Sequence, residues 1–225
     1  MAFFNQDFLQ FFIDLAPNNN KEWFDENRSR YHKSVKEPFE VFVNALIQAC
    51  RTIDQTIPED LTHKNCMFRI NRDIRFSKDK TPYKMNRSAV IGPYGKKDHG
   101  TPSLYFEAGP EHFRLYSGVY MPGTELIESV RKHISKAGAE LDEVINDPVF
   151  KQHFGWVHGE KYKVLPKQYK GLEEDIPLIK NKSWYIYKTY DPEILLQDNL
   201  VELVTKDYER MQPFQQYFRK AVGFK

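Results

Sequence analysis

Apolar residues recur every three to four positions along the first quarter of the chain, then at every second position, and later at helical spacing again. Phe8, Phe11, Phe12 and Leu15 predict a short first helix that stops in the polar run Pro17-Asn18-Asn19-Asn20. Asn20 suits the N-cap of a second helix, whose inward stripe reads Trp23, Phe24, Asn27, Arg28 and Tyr31. Pro38 should kink or restart the helix, because an interior proline loses a hydrogen bond and clashes with the preceding turn. Phe39, Phe42, Val43, Leu46, Ile47, Cys50 and Ile53 then form the regular apolar face of a core helix.

From Cys66 the period changes to two. Cys66, Phe68, Ile70, Ile74 and Phe76 fall on one face, with Arg72 the exception, which predicts a strand. Further strands are expected over 88–91, 103–108 and 112–120, with Gly109-Pro110 as a tight turn between the last two. Leu126, Ile127, Val130, Ile134 and Ala137 restore the helical period, and Leu141, Val144 and Ile145 continue it. The stretch from Gly155 to Lys182 has no period, Trp184–Tyr187 reads as one more strand, and a last helix follows Asn199 with a kink expected at Pro213. The expected fold is therefore α+β, an antiparallel β-meander packed against N-terminal and C-terminal helices. With no internal repeat or Gly/Ser linker, residues 1–225 read as a single domain.

Composition adds three constraints. Seventeen Phe and 13 Tyr among 225 residues bury much area per residue and mark a chain that folds. No apolar run approaches the roughly 20 residues that span a bilayer, and the first residues lack the pattern of a signal peptide. Cys50 and Cys66, the only two cysteines, suggest a reducing compartment, so a cytoplasmic protein without membrane attachment is expected.

Charge is uneven. Between Lys64 and Lys97 ten basic residues face two acidic ones, a local charge of +8 in a chain whose net charge is +2. Within that segment Arg69, Arg72 and Arg75 are three apart and cannot share a strand face. Either Arg72 enters the apolar face, where its charge needs a partner or a cavity, or Asn71-Arg72-Asp73 forms a bulge. Ser77-Lys78-Asp79-Lys80-Thr81-Pro82 reads as a turn that projects Lys78, Lys80 and Lys84. Guanidinium forks and ammonium groups around a turn suit phosphate or carboxylate. Arg69, Arg72, Arg75, Ser77, Lys80 and Lys84 are the candidate anion-binding set, with Trp23, Asn27, Arg28 and Tyr83 as the pocket wall. The opposing expectation is that Arg–Asp pairs only fix the turn, each contributing about 0–1 kcal/mol.

Standard catalytic signatures are absent. Gly92-Pro-Tyr-Gly-Lys-Lys lacks P-loop spacing, there is no Gly-x-Ser-x-Gly elbow, and the seven histidines show no zinc spacing, so no metal ligand set is assigned.

Asn19-Asn-x-x-Trp23-Phe-x-x-Asn27-Arg-x-x-Tyr31, followed by Arg72-Asp-x-Arg75-Phe-Ser-x-Asp79-Lys-x-Pro82-Tyr-Lys84, resembles the domain-of-unknown-function 2461 family. Gly118–Pro122 and Leu165-Pro-Lys-Gln-Tyr169 extend the resemblance over nearly the whole chain. Gln168 and Ile176 stand where the family pattern has Gly and His, which argues against proton transfer at 176. The resemblance implies a single domain and brings no activity, cofactor or catalytic set.

The leading expectation is a binding protein, or an enzyme of unidentified reaction and cofactor, for an anionic small molecule. A second is binding to a nucleic-acid phosphate backbone through 64–97, with Gly92–Gly100 as a mobile arm; no standard nucleic-acid motif accompanies it. A metal-dependent hydrolase using Asp73, Asp79 and Glu107 ranks third. Nothing in the chain fixes an oligomeric state.

Overall fold

Asn5 opens the first helix, its side chain accepting from Asp7 N at 3.0 Å. The computed structural model describes residues 2–97 and 100–224. The chain folds as two compact units, one of residues 1–96, 105–115 and 189–206, the other of 97–104, 116–188 and 207–225.

In the first unit, α1 (Gln6–Leu15) is followed by α2 (Lys21–Glu26), a single turn α3 (Arg28–Arg30), a π-helical stretch Tyr31–Lys36, and α4 (Glu37–Arg51). Asn20 caps α2 as expected, accepting from Trp23 N at 2.9 Å. Aromatic rings hold these helices together: Phe11 meets Phe12 and Tyr31, both at 5.6 Å, and Phe4 meets Phe42 at 5.3 Å. Phe42 in turn packs on Phe106 at 5.7 Å, which seats α4 on the sheet.

The inward stripe expected of the second helix is broken. Asn27 leaves helical geometry (φ −96°, ψ 10°) and ends α2, so the residues after it start a new turn. Arg28 consequently points to solvent and pairs with Asp25, while Arg30 swings onto Asp7 and Asp14 at 2.5 and 2.8 Å.

The sheet has four strands, β1 (Arg87–Ile91), β2 (Leu104–Ala108), β3 (Phe113–Val119) and β4 (Trp184–Tyr190), in the order β1-β2-β3-β4. It is antiparallel, with helices at both ends of the chain, so the molecule is α+β. Burial alternates strictly along β2 and β3, and the Gly109 N–H donates to His112 O at 3.2 Å in the turn between them.

The strand expected over 66–77 does not form. Cys66 ends a four-residue helix, α5 (His63–Cys66), and the following chain makes only isolated bridges, Met67 to Ala89 and Asn71 to Tyr83. Arg72 explains why: a continuous strand would drive its guanidinium into the apolar face, where an unpaired charge is costly. The chain instead loops out between Ile70 and Lys84, closed by Arg72 N donating to Pro82 O and Lys84 N to Ile70 O, both at 2.8 Å. Phe76, expected inward, is 96% exposed at the end of this loop.

In the second unit, α6 (Thr124–Asn146) departs from helical geometry at Ala137, and the Ile176 side chain lies against the adjacent Gly138. Asp147 caps α7 (Pro148–Phe154), and α8 (Leu200–Ala221) is continuous across Pro213. Trp184 of β4 packs on Phe218 of α8 at 6.2 Å. Cys50 and Cys66 are both free and buried. No helix among the described residues is long and apolar enough to cross a membrane.

Candidate functional site

The loop from Ile70 to Lys84 is held by its own carboxylates. Arg72 Nη1 donates to Asp79 Oδ2 at 2.5 Å, to Thr81 O at 3.2 Å and to Thr81 Oγ1. Arg75 grips Asp73 with Nε at 2.9 Å and Nη2 at 2.7 Å. Lys80 Nζ donates to Ile74 O at 2.9 Å, and the Ser77 N–H donates to the same carbonyl at 3.3 Å. Hydrogen bonds to the charged form hold both carboxyls at about 2, chiefly from Arg75 at Asp73 and from the Thr81 backbone at Asp79. Arg75, Ser77 and Lys80 therefore serve the loop itself, and Arg69 is exposed outside it.

Where the loop rejoins the sheet the chain forms a pocket of about 370 Å³, lined by Arg72, Asp79, Thr81, Tyr83, Lys84, Met85, Asn86, Tyr105 and Glu107. Asn19 fixes one wall. Its side-chain amide donates to Tyr83 O and accepts from Tyr83 N, each at 3.0 Å, as a neighbouring strand would. The buried Tyr83 ring stacks on Phe24 at 4.0 Å, so its face is already occupied by protein.

Glu107 stands on the outward face of β2. Its Oε2 accepts from Asn86 Nδ2 at 3.3 Å, and its Oε1 lies 3.2 Å from His112 Nε2. Lys84 is different in kind. Its ammonium lies 5.5 Å from the centroid of the Phe68 ring, and it makes no hydrogen bond or ion pair with the described residues. Burial, then the charges of Arg87 and Arg69, holds its pKa below the ordinary lysine value, while Glu107 acts in the opposite sense.

Of the residues singled out in the sequence, the pocket gathers Arg72, Tyr83 and Lys84. Trp23 packs on Phe11 at 5.6 Å, and Asn27 Nδ2 donates to Trp23 O at 2.9 Å. Arg28 lines a separate groove with Ser29, His32, Lys33 and Glu37, larger at about 530 Å³ but built along one helical stretch and open to solvent. Asn86, Tyr105 and His112 were not anticipated: Asn86 stands just before β1, Tyr105 on β2 and His112 just before β3, so they share no local motif and only strand pairing brings Asn86 and His112 onto Glu107. Nor was Arg87, which is 4% exposed, has a buried Nε without a hydrogen-bond partner, and lies over the Phe39 ring at 5.5 Å.

In the second proposed segment, Lys96 Nζ is tied to Lys64 O at 2.7 Å and Met67 O at 3.1 Å. Asp98 and His99, in the expected mobile arm, lie outside the described residues. Among the described residues no three His, Cys, Asp or Glu side chains cluster as a metal site would need. At the positions that depart from the family pattern, Gln168 donates to Glu128 Oε1 at 3.3 Å and Ile176 is an apolar contact on Gly138.

One family model matches the chain, described as a conserved hypothetical protein (DUF2461), over residues 7–217. No curated protein and no solved structure matches.

Proposed function

The chain belongs to the DUF2461 family, whose description names no activity, and we propose from the pocket's chemistry that it binds a phosphate- or carboxylate-bearing small molecule against Lys84. The observation that carries this reading is a half-buried ammonium that lines the pocket and makes no hydrogen bond or ion pair among the described residues, although the Glu107 carboxylate lines the same pocket and acts on it at longer range. A buried charge without a partner is costly, and an anionic ligand would supply the partner. Arg72 adds a second donor: its Nη1 is committed to Asp79 and Thr81, and its remaining guanidinium edge has no acceptor among the described residues. Asn86 and Tyr105 line the pocket with it, and Glu107 opposes ligands that would crowd a second negative charge against its carboxylate.

Three of the other cations of 64–97, Arg75, Lys80 and Lys96, are engaged with backbone carbonyls or an aspartate of their own segment, which favours a pocket over an extended phosphate-tracking surface. The two buried free thiols fit a reducing, cytoplasmic setting. The test is an NMR titration with inorganic phosphate and with citrate. Shifts at the amides of Lys84, Asn86 and Tyr105 are expected, and Lys84→Met should weaken binding about tenfold or more, the loss of one charge-assisted contact. Unmoved pocket amides at millimolar anion would refute the assignment.

A further inference from the structure

The amine that attracts an anion is also set up to react. A lysine becomes a nucleophile when burial or neighbouring cations favour its neutral form and nothing holds its proton. Lys84 meets these conditions by position. It lines the pocket, rests over Phe68, whose ring packs on Tyr105 at 5.9 Å, and has Arg69 and the buried Arg87 as its nearby cations. Both carboxylates of the pocket are hydrogen-bonded to other groups, Asp79 to Arg72 and Thr81, and Glu107 to Asn86 on one oxygen with His112 beside the other.

We propose that Lys84 Nζ forms an imine with the carbonyl carbon of an anionic aldehyde or ketone, an oxo acid or a phosphorylated carbonyl compound, held in this pocket. The inference rests on the anion-binding reading, which supplies the contact for the ligand's charged group. In the step, the neutral amine's lone pair forms the C–N bond and the carbonyl π pair moves to oxygen. A proton passes from nitrogen to that oxygen, giving a carbinolamine. Glu107, with His112 behind it, relays a second proton to the hydroxyl, the C–O bond breaks, and water leaves as C=N forms. Both amine protons depart in that water, so the step needs no oxidant or reductant.

The experiment treats the full chain with glyoxylate and sodium cyanoborohydride, which reduces the imine to a stable secondary amine, and maps the added mass by peptide. Lys84 should be modified about tenfold or more faster than Lys78 and Lys80, as expected of an amine with a depressed pKa in a binding pocket. Glu107→Gln should slow modification at position 84 by about tenfold or more if it relays the proton. Phosphate shifts in the unaltered chain with Lys84 modified no faster than Lys78 would overturn the imine and leave the anion site standing. Equal rates at Lys84 with glyoxylate and uncharged propanal would overturn the anionic specificity on which both readings depend.

Discussion

Asn19 and Tyr83 are 64 positions apart, yet one side-chain amide replaces a whole strand neighbour between them. The two 3.0 Å bonds satisfy both backbone groups of Tyr83 and set the wall from which Lys84 projects. Removing them leaves a half-buried N–H and C=O unpaired, so Asn19→Ala should cost about 1–3 kcal/mol. A lower Tm, with the amide resonances of 83–86 displaced, would register both effects. Periodicity alone shows Asn20 as a cap, because capping is local; Asn19's partner is not local, and only the family resemblance marks it out. Arg30 was hidden for another reason. Counting in steps of 3.6 presumes an unbroken helix, and the break at Asn27 resets the positions that follow it, putting Arg30 and not Arg28 against Asp7 and Asp14.

At the scale of elements, the β1–β2–β3 meander was legible because β1 is a short, nearly all-buried run and β2 and β3, joined by a tight turn, alternate against a buried face. The segment 66–77 alternates just as well but has no continuous partner, and pairing, not pattern, makes a strand. The reverse holds near β4. His158 and Lys161 sit in a stretch without any period, yet His158 bridges to Tyr185 on that strand and Lys161 to Asn181 just before it. How closely the chain passes β4 shows at Gly118, where φ is +130° and an added Cβ would stand against the Trp184 carbonyl oxygen, inside the 3.0 Å that real Cβ atoms keep. Gly118→Ala should therefore lose roughly 3 kcal/mol or more, through strain in the left-handed region and displacement of β4. Urea denaturation would show it as a lower midpoint at unchanged slope.

Across the whole molecule, acid should act mainly through carboxylates near arginines. Arg30 lowers the pKa of Asp7, as its largest cause, and that of Asp14 after the bond from Gln10. Asp73 and Asp79 are held at about 2 but are exposed, so solvent screens what they contribute. A carboxyl whose folded value is depressed stabilises fully above its unfolded value of 3.8 and loses that contribution as pH falls through the folded one. Tm should thus hold from about pH 6 to about pH 4 and fall steadily toward about pH 2. Arg30→Met should flatten that fall, and an unchanged profile would assign it to other groups.

The two cysteines carry a practical consequence for spectroscopy. Burial pushes the Cys66 thiol up to about 12 and Cys50 higher still, and only a thiolate attacks maleimide. The native protein is therefore silent to thiol dyes without either residue being replaced. Met85→Cys, at a pocket-lining position that leaves Lys84 in place, would install a single reactive handle, so a fluorophore there would report ligand entry with the ammonium still present.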